Sequence, residues 1–196
     1  MNPVVVHGGG PDISRYSDRL GLEVRFVHGL RVTDAPTMEL VKMVLVGKIN
    51  KAIVAQLHVA GVAAVGLAGD DARLITAEKA SSPDADLGFV GRVAAIDGRV
   101  LQHLRDFVPV VASVGVDAEG QSYNINADTV AGRLAAALGA RKAIFLTDVE
   151  GIYRDIADPA SLISEGTLAE VRELMASGTV ASGMIPKLAA VADALE

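Results

Sequence analysis

The sequence predicts an α/β protein: a doubly wound, mainly parallel open sheet with helices on both faces, in three α-β-α layers. Three observations carry that expectation. Runs of β-branched and aliphatic residues at Val4–Val6, Val62–Leu67, Val108–Ala112 and Lys142–Leu146 alternate with stretches of helical periodicity, the order from which parallel βαβ units are built. Hydrophobic residues make up 51% of the chain but aromatics only 4%, so small aliphatic side chains fill the core, as they do where parallel strands are buried on both faces. Glycine and short polar residues gather where the runs end, at Gly8–Gly10, Gly69-Asp70, Asn124–Asp128 and Thr147-Asp148. Ligands of open α/β sheets bind beyond the carboxyl ends of the strands.

Taken in order, the first run ends in Gly8-Gly9-Gly10-Pro11, with Ile13, Tyr16 and Leu20 at helical spacing behind it and Gly21 as the stop. Three glycines between a strand and a helix let a ligand lie on backbone N–H groups at the positive end of the helix dipole. The spacing is neither the dinucleotide fingerprint nor a Walker A loop. Glu23–Val32 reads as extended. Thr33 or Asp34 caps the next helix and Pro36 sits in its first turn. That helix runs to Ala60-Gly61 with apolar residues on more than one side. This fits either a fully buried core helix or one packed between the sheet and a second subunit.

Short extended pieces are expected at Leu74–Ala77 and Gly91–Ile96, and a loop over Ala80–Asp86. A helix capped by Asp97 runs through Leu104. Pro109 must lie where its strand's ladder begins, and Asp117–Gly120 is a hairpin turn. An Ala-rich helix covers Thr129–Leu138. Thr167–Glu170 is a capping box, and Ser182–Lys187 precedes a last helix.

The bulk properties exclude several function classes. The net charge is −6 and no basic run is present, which argues against a nucleic-acid partner. With no cysteine there are no disulfides or thiolate metal sites, as suits a reducing, cytoplasmic setting. The longest greasy stretch, Leu40–Leu57, is broken by three lysines and an asparagine, so no membrane span is expected. The four histidines have no metal-ligand spacing, and no G-x-S-x-G or Cys-His pair supports acyl chemistry.

Several polar residues remain as candidates. Arg31 is either a carboxylate clamp or a surface ion-pair partner. Asn124, Asn126 and Asp128 alternate along an extended segment and so share a side; they form either a polar site or the cap of the following helix. Asp148 could take ribose hydroxyls, orient a lysine or make an Asx turn. Lys187 could meet phosphate oxygens or be a solvated surface lysine.

These motifs come in a recognisable order: His-Gly-Gly-Gly-Pro after a strand, Gly-Leu-Arg-Val-Thr, Asn-Ile-Asn-Ala-Asp, Leu-Thr-Asp-Val-x-Gly-Ile-Tyr and Ser-Gly-Met-Ile-Pro-Lys. Nearly the whole chain resembles the acetylglutamate kinases of the amino acid kinase superfamily. The resemblance implies phosphorylation of the γ-carboxylate of N-acetyl-L-glutamate by ATP, with Mg2+ held mainly by the nucleotide, as the second step of arginine synthesis. It implies that Gly9, Gly10, Arg31 and Asn124 bind substrate and that Asp128 organises the catalytic lysines. Lys187 then neutralises phosphate charge, and Thr147, Asp148, Gly151 and Tyr153 border the nucleotide.

Residues 1–140 would form the substrate and dimerisation lobe and 141–196 a nucleotide lobe incomplete at its C-terminal end, with a homodimer through the helix 36–60. The family also begins with a strand carrying Lys-x-Gly-Gly, which nothing before Val4 supplies. A catalytically impaired or binding-only member, or the related carrier-linked aminoadipate kinase of lysine synthesis, stands as the alternative.

Overall fold

The computed structural model describes residues 2–147, 151–154, 157–177 and 184–195. Its centre is a three-stranded parallel sheet. β1 (Val5–His7) lies on one side of the sheet and runs through the glycines into α1 (Gly10–Leu20). A small hairpin of β2 (Phe26–Val27) and β3 (Leu30–Arg31) follows. Its two-residue turn, His28-Gly29, has both φ angles positive, 48° and 78°, the geometry whose twist matches a tight hairpin. The extended segment that the sequence predicts over 23–32 is thus doubled back on itself at this turn.

The long helix comes next: α2 (Ala35–Lys42), a π-helical stretch Met43–Ile49 and α3 (Asn50–Val59). Asp34 is its N-cap, its carboxylate accepting from the Thr37 N–H at 2.9 Å. The helix leads into β4 (Ala64–Ala68).

The second sheet is mixed. β5 (Ile75–Lys79) pairs antiparallel with β6 (Gly91–Ile96), and α4 (Arg99–His103) follows β6. β7 (Val108–Ala112) returns to the first sheet and lies between β1 and β4. β8 (Val114–Val116) and β9 (Ser122–Asn124) form a hairpin beside β5.

Pro109 sits in the central strand without loss. β7 pairs with β4 from Val108 but with β1 only from Val110. Alternate N–H groups face opposite neighbours, and Val108 N–H already bonds towards β4, to Ala63 O at 2.8 Å. The missing donor of Pro109 therefore faces a ladder that has not yet started.

Neighbouring residues of β7 point to opposite faces, and the two cores divide on it. Val111 joins a cluster with Leu74, Ile75, Tyr123, Val130 and Leu134. Ala112 joins Ile13, Met38, Val41, Val44 and Leu45 on the other face. The second core belongs to α1 and the long helix; the first belongs to the mixed sheet and to α5 (Ala127–Ala137). This is the three-layer arrangement the alternation of elements predicts.

Beyond α5 the chain carries a short hairpin of β10 (Ile152–Tyr153) and β11 (Leu162–Ile163), then α6 (Leu168–Ser177) and α7 (Ile185–Leu195). The capping box at the start of α6 is present, with Thr167 N–H on the Glu170 carboxylate at 2.7 Å and Glu170 N–H on the Thr167 hydroxyl at 3.3 Å. Lys142–Leu146, expected as a buried strand, makes no ladder, and Ile144 and Leu146 are 79% and 91% exposed. An apolar run becomes a strand only beside a partner, and none of the described strands flanks this one.

Candidate functional site

A cleft of about 240 Å3 opens where β1, β7 and β9 end. Gly8, Gly9, Gly10, Arg31, Asn124 and Asp128 all line it. A larger and more open hollow, of about 550 Å3, lies under the loop 79–87. It is walled by that loop alone and includes none of the motif residues, so size does not locate the chemistry here.

Gly9 is the N-cap of α1, and it offers no side chain there. A Cβ on Gly9 would stand 2.2 Å from Ile49 Cδ1 and 2.8 Å from Leu45 Cδ2, so the long helix packs directly against bare backbone. A Cβ on Gly10 would meet nothing within 4 Å and would stand in open space. The first N–H groups of α1 lack intrahelical acceptors, so this turn presents donors and a positive dipole end together.

Arg31 is 7% exposed, which removes the surface ion-pair alternative. Its Nη2 donates to Gly10 O at 3.0 Å and to Ser14 Oγ at 2.7 Å. The guanidinium lies 4.7 Å from the centre of the Phe26 ring. Nη1 is buried and unpartnered. Burial lowers the guanidinium's pKa from its ordinary value, with the charge of Asp18 opposing, yet arginine stays protonated at working pH. The site therefore holds a fixed cation with a donor pair unused, which fits an anionic ligand.

Asn124 donates through Nδ2 to the Thr33 hydroxyl at 3.1 Å. Thr33, fully buried, in turn donates to Arg31 O at 2.7 Å. The Asn-Ile-Asn-Ala-Asp segment divides its labour. Asn126 caps α5, accepting the Thr129 N–H at 3.0 Å. Asp128, inside the first turn, accepts from Lys187 Nζ at 3.0 Å. Both side chains of this pair are just over a quarter exposed. α7 is brought onto α5 at Gly132, where a Cβ would stand 2.2 Å from Ala190 O. Among the described residues no group of three or more His, Asp or Glu side chains converges as a metal cage.

Of the residues expected to border a nucleotide, Thr147 is exposed at the end of the 141–147 stretch, and Gly151, just before β10, and Tyr153, within it, are half-buried. None of the three lines the cleft. Asp148 lies outside the described residues, as do Ser182 and Gly183. Sequence reading missed Ser14 and Thr33, the two hydroxyls that brace Arg31 and Asn124. The spacing Gly10–Ser14 is one helical turn and so a readable signal; Thr33 carried none beyond its neighbourhood to Arg31.

A model of the amino acid kinase family matches residues 1–196. The chain is 56% identical over 190 residues to the chloroplastic acetylglutamate kinase of Arabidopsis thaliana, covering 96% of this chain and 54% of that protein. It is 53% identical over 190 residues to the acetylglutamate kinase of Nostoc sp., covering 96% and 63%. The chain thus spans between about half and two thirds of the length of these curated relatives. Among solved structures, the crystal structure of smu.665 from Streptococcus mutans UA159 superposes with a TM-score of 0.86 at 33% identity, covering 97% of this chain and 76% of that one.

Proposed function

This chain belongs to the amino acid kinase family, and on that footing we propose that it transfers the γ-phosphoryl group of ATP to the γ-carboxylate of N-acetyl-L-glutamate, the second step of arginine synthesis. The names of its curated relatives support that substrate. The single observation that carries the reading is the buried, unpartnered Nη1 of Arg31 beside the cleft. A substrate α-carboxylate completes it with a charge-assisted hydrogen bond, and Asn124 binds the same substrate. Gly9 and Gly10 offer N–H groups to the γ-carboxylate and the moving phosphoryl group.

Lys187, held by Asp128, neutralises charge on the phosphates. No residue acts as a covalent nucleophile, because phosphoryl transfer needs positioning and charge neutralisation above all. Asp128 already holds Lys187, so the metal belongs with the nucleotide rather than with a protein cage. Mg2+-bound ATP supplies the phosphoryl group, and the segment from Thr147 to Tyr153 borders it, residues 141–196 forming the nucleotide lobe and 1–140 the substrate lobe.

The same proposal makes the protein a cytoplasmic homodimer through the helix 36–60. Exposed Met43 and Val59 on the outer side of that helix support it; Met43→Glu then yields a monomer in analytical ultracentrifugation, and an unchanged mass refutes the interface. No helix of the described residues is long and apolar enough to cross a membrane.

The activity is tested with the full chain, ATP, Mg2+ and N-acetyl-L-glutamate, the acyl phosphate being trapped as its hydroxamate. ADP release without hydroxamate, or hydroxamate formed equally without N-acetyl-L-glutamate, overturns the reading.

A further inference from the structure

His7 and Asn50 form a buried polar pair behind the glycine turn, and neither belongs to the substrate-facing set. Asn50 is 0% exposed and His7 9%. Asn50 opens α3, directly after the π-helical stretch, where its N–H reaches back five residues to Leu45 O. That wider turn shifts the helical register, and in the register that follows the amide faces the sheet. Its Nδ2 lies 2.8 Å from Val110 O, 3.2 Å from Leu67 O and 3.2 Å from His7 Nε2.

The protonation of His7 follows from these contacts. Two backbone carbonyls face one end of the Asn50 amide, so that end is the nitrogen, since an oxygen there would meet two acceptors. The amide nitrogen cannot accept, so an Nε2–H would meet only another donor; with two hydrogens shared among three acceptors, the amide leaves His7 Nε2 as an acceptor. A neutral imidazole that accepts at Nε2 carries its proton on Nδ1. His7 Nδ1 lies 3.0 Å from Gly8 O, so it donates to that carbonyl. Burial, which lowers the His7 pKa against the opposing bond to Gly8, keeps the ring neutral.

No cis peptide is present among the described residues, and in a trans peptide the C=O and the following N–H point in opposite directions. Holding Gly8 O on the buried imidazole turns the Gly9 N–H away from His7. The cleft, lined by Gly8–Gly10 but not by His7, lies beyond. We propose that Asn50 and His7 are positioning residues: Asn50 sets the Nδ1–H tautomer of His7, and His7 in turn locks the Gly8-Gly9 peptide so that the Gly9 N–H is aimed at the transferring phosphoryl group. Leu45 and Ile49, packed on Gly9, come from the turn just before Asn50, so one helix segment braces the glycine turn both sterically and through hydrogen bonds. The inference rests on the reading of the cleft as a phosphoryl-transfer site.

Two measurements on the full chain decide it. In long-range 1H–15N spectra, His7 of the unliganded protein shows the Nδ1–H tautomer, and Asn50→Leu abolishes that preference. An Nε2–H tautomer in the unaltered protein overturns the proposal, whatever the enzyme does. In kinetics, His7→Leu lowers kcat about thirtyfold, part of what a lost oxyanion-type donor costs, while KM for N-acetyl-L-glutamate and for ATP stay within about threefold. His7→Asn, whose Nδ2 stands near the place of Nδ1, recovers kcat to within about fivefold of the unaltered chain. A folded His7→Leu with unaltered kcat, or a His7→Asn as impaired as His7→Leu, overturns it. An inactive unaltered chain refutes the proposed kinase activity instead, and the tautomer measurement still stands.

Discussion

Replacing Arg31 by lysine keeps the charge and removes the fork. The Arg31 guanidinium does three things at once: Nη2 bonds Gly10 O and Ser14 Oγ, the plane lies over Phe26, and Nη1 is left for a ligand. An ammonium is a single point with no planar fork. If it reaches Gly10 O and Ser14, it is withdrawn from the cleft; if it reaches the ligand, the start of α1 loses its brace. The lost interaction is a hydrogen bond between charged partners, worth about 1.5–3 kcal/mol. At about 1.4 kcal/mol per decade, KM for N-acetyl-L-glutamate rises roughly 10- to 150-fold.

The α-carboxylate keeps its charge throughout the reaction, so the clamp acts alike on ground and transition states and kcat changes little. Steady-state kinetics with hydroxamate detection measures both. Thermal denaturation gives an independent reading: ligand at about a hundred times Kd stabilises the unaltered protein by roughly 2.7 kcal/mol, and about half to nine tenths of that is lost in Arg31→Lys at the same concentration. A KM within threefold of the original, or a fall in kcat at unchanged KM, refutes the clamp.

The Lys187→Met variant should lose about a hundredfold or more in kcat, the usual cost of a transition-state charge stabiliser, with KM for N-acetyl-L-glutamate little altered; a mere KM effect contradicts its assignment to the phosphates. Ala72 holds a φ of +51° inside the turn Asp71–Arg73, a conformation that costs an L side chain about 1–2 kcal/mol. Ala72→Gly recovers this less glycine's added chain entropy, a net gain of roughly 0.5–1 kcal/mol in urea denaturation, and a destabilised variant would show the turn to be unstrained.

The depressed pKa of buried His7 gives a pH dependence of stability with a definite sign. Above pH 6.5 the ring is neutral in both the folded and unfolded chain and contributes nothing. Below it the unfolded chain binds a proton that the folded one does not, so stability falls as pH drops from 6.5 towards the folded value, at up to about 1.4 kcal/mol per pH unit. His7→Asn flattens the profile below about pH 6.5, and an unchanged slope in that variant assigns the effect elsewhere.

Much of the site was legible before any coordinates. The glycine turn, Arg31 and the Asn124–Asp128 segment stand on three separate motifs, and the fold gathers them around one cleft although β1, β3 and β9, the strands that carry them, belong to three different sheets. The alternatives at Asn126 and Asp128 could not be separated in one dimension. Both can cap a helix, and only the backbone geometry decides that Asn126 does so while Asp128 meets Lys187. The two-sided apolar pattern of the long helix was equally ambiguous. Met38, Val41, Val44 and Leu45 turn inward while Met43 and Val59 stay exposed, and the π-helical register that places Asn50 under the sheet has no signature in composition or spacing. Lys142–Leu146 had the residues of a strand but no ladder, because pairing depends on a neighbour rather than on the segment itself.

Local chemistry is written residue by residue, and so the amino-acid order alone specified most of the elements, caps such as Asp34 and the Thr167–Glu170 box, and the residue types able to bind an anion. The burial of Arg31 with one donor unused, the Lys187–Asp128 pair and the chain of contacts from Asn50 through His7 to Gly8 arose only on folding. The Arg31–Gly10, Asn50–His7 and Lys187–Asp128 contacts join residues 21, 43 and 59 positions apart, and such contacts depend on how sheets and helices dock, a global packing solution that no local pattern encodes.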